Sequence, residues 1–394
     1  MSVESRRGRA EERVTPLELF FDLIFVFAIT QVTGLVSADA TWTALAQGLV
    51  VLGVLWWAWA AYVWLTNTID PEEGGVRVAM FAAMGAMLIA SLAVPGAFGA
   101  DAVLFACAYA FVRAAHLVLY ALAGRGDADL LGAVERLTVG SVLGVGLLFV
   151  AAGLDGRAQL TVWTVALLID LAGPLLGGGR GWRLSAGHFA ERHALVLIIA
   201  LGESIVALGV GAAGIGLDAG VVAAALLGLA IACSLWWAYF DVVAPVAERK
   251  LRETTGTAQL VLARDSYSYL HLPMVAGIVL FAVGVKKTLA HVGDPLETVP
   301  AVALCGGVAL YLAAHILFRL RNVHSLNRQR LVVLLLLLVA SLPLALELPA
   351  LATLGLVAGL CVALIVYEAI RFAEARERIR HAHSQEGRIA TEGH

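Results

Sequence analysis

Charge is scarce in this chain. Asp, Glu, Lys and Arg make up 14% of its 394 residues, against 60% hydrophobic. A soluble globular domain carries about 25% charge and roughly 45–50% apolar residues, so the composition argues against a soluble fold. Cysteine is scarce as well. Cys107, Cys233, Cys305 and Cys361 all lie in apolar stretches. None is spaced for a metal site and no pair is placed for an extracellular disulfide, so neither metal nor cofactor is expected. The chain has no GxxxxGK[ST] phosphate loop, which argues against an ATP-driven pump. HExxH and a nucleophile elbow are missing too, and no loop is long enough for a soluble domain. These absences leave no catalytic residue to name, and they point away from an enzyme and from a nucleic-acid partner. The N-terminus does not read as a cleavable signal peptide. Its basic arm includes acids, and the apolar stretch that follows is too long and carries charge.

What the chain has is length without charge. Apolar runs able to cross a hydrocarbon core of ~30 Å recur from end to end, and the mean hydropathy is +0.87. The expected fold is all-α and polytopic, with the lipid bilayer as its solvent. About twelve spans are expected near 16–36, 43–66, 77–95, 102–122, 134–152, 160–176, 190–210, 219–241, 267–284, 300–318, 331–346 and 350–372. The last but one ends in "LPLALELP" and is among the two weakest. Lys and Arg accumulate in cytoplasmic loops. With the arginines before the first span placed inside, only Arg157, Lys286 and Lys287 of the 27 basic residues fall in outside loops, and only Arg113 lies within a span. Both termini are therefore expected in the cytoplasm.

The two halves resemble one another. "LWWAWAAYVW" in the second span matches "LWWAYF" in the eighth. "RAAHLVLY" in the fourth matches "LAAHILFR" in the tenth, which pairs His116 with His315. Asp170 in the sixth span corresponds to Glu368 in the twelfth. Six spans separate each pair. Six is even, so both halves would enter the membrane in the same direction, as parallel repeats about an axis along the membrane normal. The expected organisation is a basic arm at 1–15, a first six-helix repeat with its following loop at 16–183, a second repeat at 184–373, and a tail at 374–394.

A few ionisable residues interrupt the apolar runs. "TPLE" reads as a helix start, with Thr15 as N-cap, Pro16 first in the helix, and Glu18 closing a capping box. Asp22 is not explained that way. It shares a face with Glu18, deep enough that an unpaired charge would cost up to ~2.5–3.5 kcal/mol. It is either buried against an arginine, fixing helix register, or part of a proton or ion site. Glu203 falls near the middle of the seventh span. The Gly202 beside it would allow close helix approach, and Ser204 would offer a hydroxyl. Glu191 and Arg192 read as anchors at that span's start. Arg113 is the available counter-charge, with His116 one turn on. Trp56, Trp57, Trp59, Trp64, Trp236 and Trp237 read as interfacial belts or packing. Asp22, Glu203, Arg113 and His116 are thus the candidate ion, proton or substrate site.

"TPLELFFDLIFVFAITQVTGLV" and "HFAERHALVLIIALGESIVALG" together resemble the two signature segments of the bacterial low temperature requirement protein A family. The resemblance covers nearly the whole chain except both tails. It implies a multi-pass protein of the bacterial cytoplasmic membrane with a link to growth in the cold, and it makes Glu18, Asp22, Glu191, Arg192 and Glu203 motif members. It carries no catalytic assignment. The functional expectation is a secondary transporter of an unknown small molecule or ion, with protons as the candidate coupling ion. A channel, or a membrane enzyme or scaffold for cold or stress adaptation, are the alternatives. An enzyme should show an interfacial cluster of His, Asp or Ser, and the sequence has only scattered candidates. Substrate, coupling ion, direction and oligomeric state are not written in it.

Overall fold

The computed structural model of the chain describes residues 14–177, 181–213 and 216–373. Nearly all of the basic arm, Arg180, and the tail from 374 lie outside the described residues. Among those described there is no strand, only an isolated bridge between Pro295 and Pro349. The helices are α1 (Pro16–Asp39), α2 (Trp42–Thr66), α3 (Gly74–Ala93), α4 (Ala102–Ala123), α5 (Ala128–Ala151), α6 (Gly156–Gly177), α7 (Ala186–Ala212), α8 (Ala219–Phe240) and α9 (Val243–Glu253). They continue with α10 (Gly256–Ala290) and α11 (Thr298–Val323), α12 over 328–344, and α13 (Ala350–Arg371).

Eleven helical stretches are long and apolar enough to cross a membrane. The twelfth expected span, 331–346, is the exception. There α12 runs without a gap from 328 to 344, through a π-turn at Leu337–Ser341, and stops short of 346. The chain then turns, and its backbone pairs with the segment before α11. Leu296 N–H donates to Ala345 O at 3.1 Å, and Ala350 N–H to Asp294 O at 2.8 Å. Two boundaries also differ from expectation. The helix α10 begins at Gly256 and runs to Ala290, so Lys286 and Lys287 sit in its last turns and not in a loop.

The capping box at α1 forms. Glu18 N–H donates to Thr15 Oγ1 at 3.3 Å, and Thr15 N–H to Glu18 Oε2 at 2.9 Å. Asp127 caps α5 in the same manner, accepting from Leu130 N–H at 3.1 Å. That amide, with Arg183 beside it, holds the Asp127 carboxyl below its usual range.

Contacts divide the chain into two compact units, 1–199 with 255–264, and 200–254 with 265–394. In the first, α1 packs on α2 and α3, α3 on α4, and α5 on α6. Trp56, Trp59, Tyr62 and Leu65 of α2 are fully buried, so α2 is the central helix of that unit. The outer helices invert the rule for soluble proteins. Val139, Val142, Leu143 and Phe149 of α5 point outward and are exposed. Apolar residues facing out fit lipid as the surrounding medium.

In the second unit α8 packs on α13, and α10 on α11. The α10–α11 contact is made backbone to backbone. A Cβ on Gly277 would lie 2.6 Å from Gly307 O, and one on Gly307 would lie 2.6 Å from Phe281 N. Small residues at this seam let two helices approach without lipid between them. A π-turn over Val302–Gly306 immediately precedes Gly307. Another, Ala263–Tyr269, lies in α10. Such turns add a residue to the helix and re-aim the side chains beyond it.

Candidate functional site

Helical spacing of four residues places Glu18 and Asp22 on one face of α1, and His188 and Arg192 on one face of α7. The two faces meet. Arg192 spans both carboxylates with its guanidinium fork: Nη1 donates to Glu18 Oε1 at 2.7 Å, and Nη2 to Asp22 Oδ1 at 2.6 Å. His188 Nε2 lies 2.9 Å from Glu18 Oε2, an ionised oxygen that can only accept, so the ring nitrogen donates. Trp59 of α2 donates its indole N–H to Asp22 Oδ1 at 2.8 Å. All of these residues belong to the first unit. Glu18 and Asp22 are 0% exposed and Arg192 is 1% exposed.

The cluster is not evenly satisfied. Asp22 Oδ1 takes both of that residue's hydrogen bonds, while Asp22 Oδ2 and Arg192 Nε are buried without a partner. Its charge is uneven too. Two carboxylates face one permanent cation, so with His188 neutral the group carries a net negative charge in a buried setting. Isolated charge there is costly. One further positive charge would close the balance.

A second cluster in the same unit joins α4, α5 and α6. Arg113 Nη2 binds Asp170 Oδ1 at 2.8 Å and also donates to the Ser141 hydroxyl. Tyr109 O–H donates to Asp170 Oδ2 at 3.1 Å. Arg113 is thus the partner of Asp170, and the guanidinium beside Asp22 is that of Arg192. His116 Nε2 donates to Ala61 O at 3.1 Å, which fixes that tautomer, and its ring lies between Tyr62 and Tyr120. Arg113 Nε and Nη1 and His116 Nδ1 are buried without partners.

The second unit holds Glu203 on α7, only 2% exposed. Its neighbours act otherwise than expected. The Ser204 hydroxyl donates to Leu201 O at 2.6 Å, and Gly202 has nothing within 4 Å of where a Cβ would stand. No helix comes close at that glycine. In the same unit Arg330 forms a bidentate pair with Glu368, with Nε–Oε1 and Nη2–Oε2 both 2.8 Å. Its Nη1 lies against the His315 ring and donates to Ala238 O at 3.2 Å.

Glu191 is exposed and accepts from Val14 N–H at 3.2 Å, which fits an anchor. Arg192, read from the sequence as another anchor, is instead the centre of a buried cluster. His188 and Arg330 have no role in the sequence reading, and Trp59 appears there only as belt or packing. The spacing of His188 and Arg192, matched to that of Glu18 and Asp22, was the available signal for the first of them. Trp56, Trp57 and Trp59 are buried, which is the packing alternative. No group of three or more metal-binding side chains occurs among the described residues.

The model of the bacterial low temperature requirement A protein family matches residues 13–366. An uncharacterized protein of Rhizobium meliloti (strain 1021) is 31% identical over 308 residues, covering 75% of this chain and 74% of that protein. No solved structure matches. Both halves of the charged α1–α7 cluster lie inside the matched region. The chain belongs to the bacterial low temperature requirement A protein family.

Proposed function

We propose that the protein is a proton-coupled secondary transporter of the bacterial cytoplasmic membrane, with the Glu18–Asp22–His188–Arg192 cluster as its proton site. The observation that carries the reading is the charge imbalance of that cluster. Two buried carboxylates share one arginine, one carboxylate oxygen has no partner, and a histidine is in hydrogen-bond contact. A structural strut is better built from equal charges, as Arg113–Asp170 and Arg330–Glu368 are. Groups that interact this closely titrate as a unit, so the proton belongs to the cluster and not to one residue. Glu203, buried in the second unit, is the second candidate acid. The test is whether the folded protein takes up a proton at this cluster, and whether a solute found by thermal-shift screening changes that uptake. A folded protein that binds a solute with no linked proton is not proton-coupled.

A two-repeat organisation, proposed here from the matching segments of the two halves, would suit a transporter. The corresponding acids Asp170 and Glu368 each close a buried pair with an arginine. The corresponding histidines His116 and His315 each sit among groups bound to a carbonyl of the "LWWA" helix of their own half, Ala61 or Ala238. From the distribution of basic residues we further propose that both termini face the cytoplasm. Single cysteines at Asp39, Asp155 and Leu217, in a background lacking native cysteines, should then react with an impermeant reagent added outside intact cells. Cysteines at Gly74 and Glu253 should not. All five positions are exposed, and one reversed site would break the orientation.

A further inference from the structure

A cavity of about 160 Å³ opens in the second unit where α8, α11 and α13 end and α12 begins. Water occupies about 30 Å³ per molecule in the liquid, so the cavity has room for a small polar group. Trp237, Arg319, Asn327, Arg330, Glu368 and Phe372 are among its lining residues.

Most of its polar groups are committed. Arg330 uses Nε and Nη2 on Glu368, and Nη1 on Ala238 O and His315. Asn327 donates to Glu368 Oε1 at 2.8 Å and accepts from Arg330 N–H at 3.2 Å. Glu368 is therefore neutralised and its oxygens are occupied. Asp241 also lines the cavity; it is itself engaged, and its Oδ2 is buried without a hydrogen bond. Arg319 differs. Its Nε is fixed by the Ser325 hydroxyl at 3.1 Å, and neither Nη1 nor Nη2 has a partner among the described residues. A half-buried guanidinium is thus held in place with its two terminal nitrogens open beside a cavity.

Exposed apolar side chains lie close by in the sequence. Phe372 lines the cavity and is itself exposed, as are Leu320, Val323, Leu326 and Ile370 nearby in sequence. A cationic fork at the end of membrane-spanning helices, with exposed apolar side chains close by in sequence, matches a phosphate with acyl chains attached. Arginine binds phosphate oxygens through two parallel N–H donors, and basic pockets between helix ends are where anionic headgroups are held.

We propose that Arg319 and this cavity bind a phosphate group, supplied by an anionic phospholipid of the surrounding leaflet. The site is separate from the proton cluster and does not depend on the transport reading. Free phosphate is the other source of the same chemistry, and two probes distinguish them. Purified protein is titrated with phosphatidylglycerol, read by native mass spectrometry, and separately with inorganic phosphate, read by thermal shift. Loss of a charge-assisted bond should weaken binding by about tenfold or more in Arg319→Gln, with Arg319→Lys intermediate. Arg321→Gln, whose arginine is paired with Asp265, should leave binding unchanged. Lipid binding that depends on Arg319 supports the headgroup. Phosphate binding that depends on Arg319, without lipid binding, keeps the phosphate site but overturns its lipid source. Equal affinities in wild type, Arg319→Gln and Arg321→Gln overturn the site. Should Arg319→Gln fail to fold, photoreactive phosphatidylglycerol on the wild type decides. Crosslinks are expected within 319–327 and 368–372, and labelling spread evenly over the helices would contradict the proposal.

Discussion

Replacing Arg192 by methionine should destabilise the folded protein by about 3–5 kcal/mol, the cost of leaving buried charge without its partner. The reason is arithmetic in charge. Arg192 is the one permanent cation against Glu18 and Asp22, and both are wholly buried. Without it two carboxylates lie one helical turn apart in a buried setting, with His188 as the remaining source of positive charge. Either they bind protons or α1 and α7 separate. The distinguishing result is a rescue. The triple variant Glu18→Gln, Asp22→Asn, Arg192→Met removes every charge of the set and should recover most of the lost thermal stability. A cluster held together by shape alone would show no rescue. Equal losses in the single and triple variants would mean that the ion pairs are not what Arg192 contributes.

Valine at Gly307 should be about as damaging, through a different cause. Its Cβ would lie 2.6 Å from Phe281 N and 2.7 Å from Gly277 O, and both are backbone atoms that cannot rotate away. Overpacking an ordinary core costs about 1–3 kcal/mol. Here two helices must move apart, so the loss should exceed that range. Alanine at Gly277 meets Gly307 O and Tyr311 N at 2.6 and 2.7 Å and should also destabilise. The control is Gly209→Ala in α7, where nothing lies within 4 Å. Removing a helix-interior glycine should gain up to about 1 kcal/mol there. Thermal unfolding of the three variants in one detergent separates the seam from a general intolerance of larger side chains.

The fold was legible because lipid imposes a simple code. Long apolar runs, with charge confined between them, disclosed the helices, and "TPLE" disclosed the start of α1. What escaped was set by tertiary structure. The end of α12 depends on backbone pairing between 294–296 and 345–350, which no local pattern announces. Arg192 looked like a surface anchor because it lies near the start of its helix. Only the packing of α7 on the acidic face of α1 buries it. Gly202 was expected to mark a close helix approach. The close approaches lie elsewhere, at Gly277, Gly284 and Gly307, because a glycine in an apolar helix gives no sign of which face it occupies. The Arg330–Glu368 pair was hidden for a similar reason. Its arginine sits at the start of α12, on a different helix from the His315 it touches.

The most direct test of the proposed proton site is infrared difference spectroscopy of the folded protein in lipid nanodiscs, between about pH 8 and pH 5, where a histidine or a perturbed acid changes charge. The wild type should gain one protonated species on acidification. A carboxylic C=O band lost in Asp22→Asn would put the proton on Asp22, and an imidazolium band lost in His188→Gln would put it on His188. Either result meets the expectation. Asp22→Asn should remain folded, since Glu18 and Arg192 then balance without a bound proton. Wild-type, Asp22→Asn and His188→Gln spectra that change identically with pH would contradict the account, because the cluster would then take up no proton.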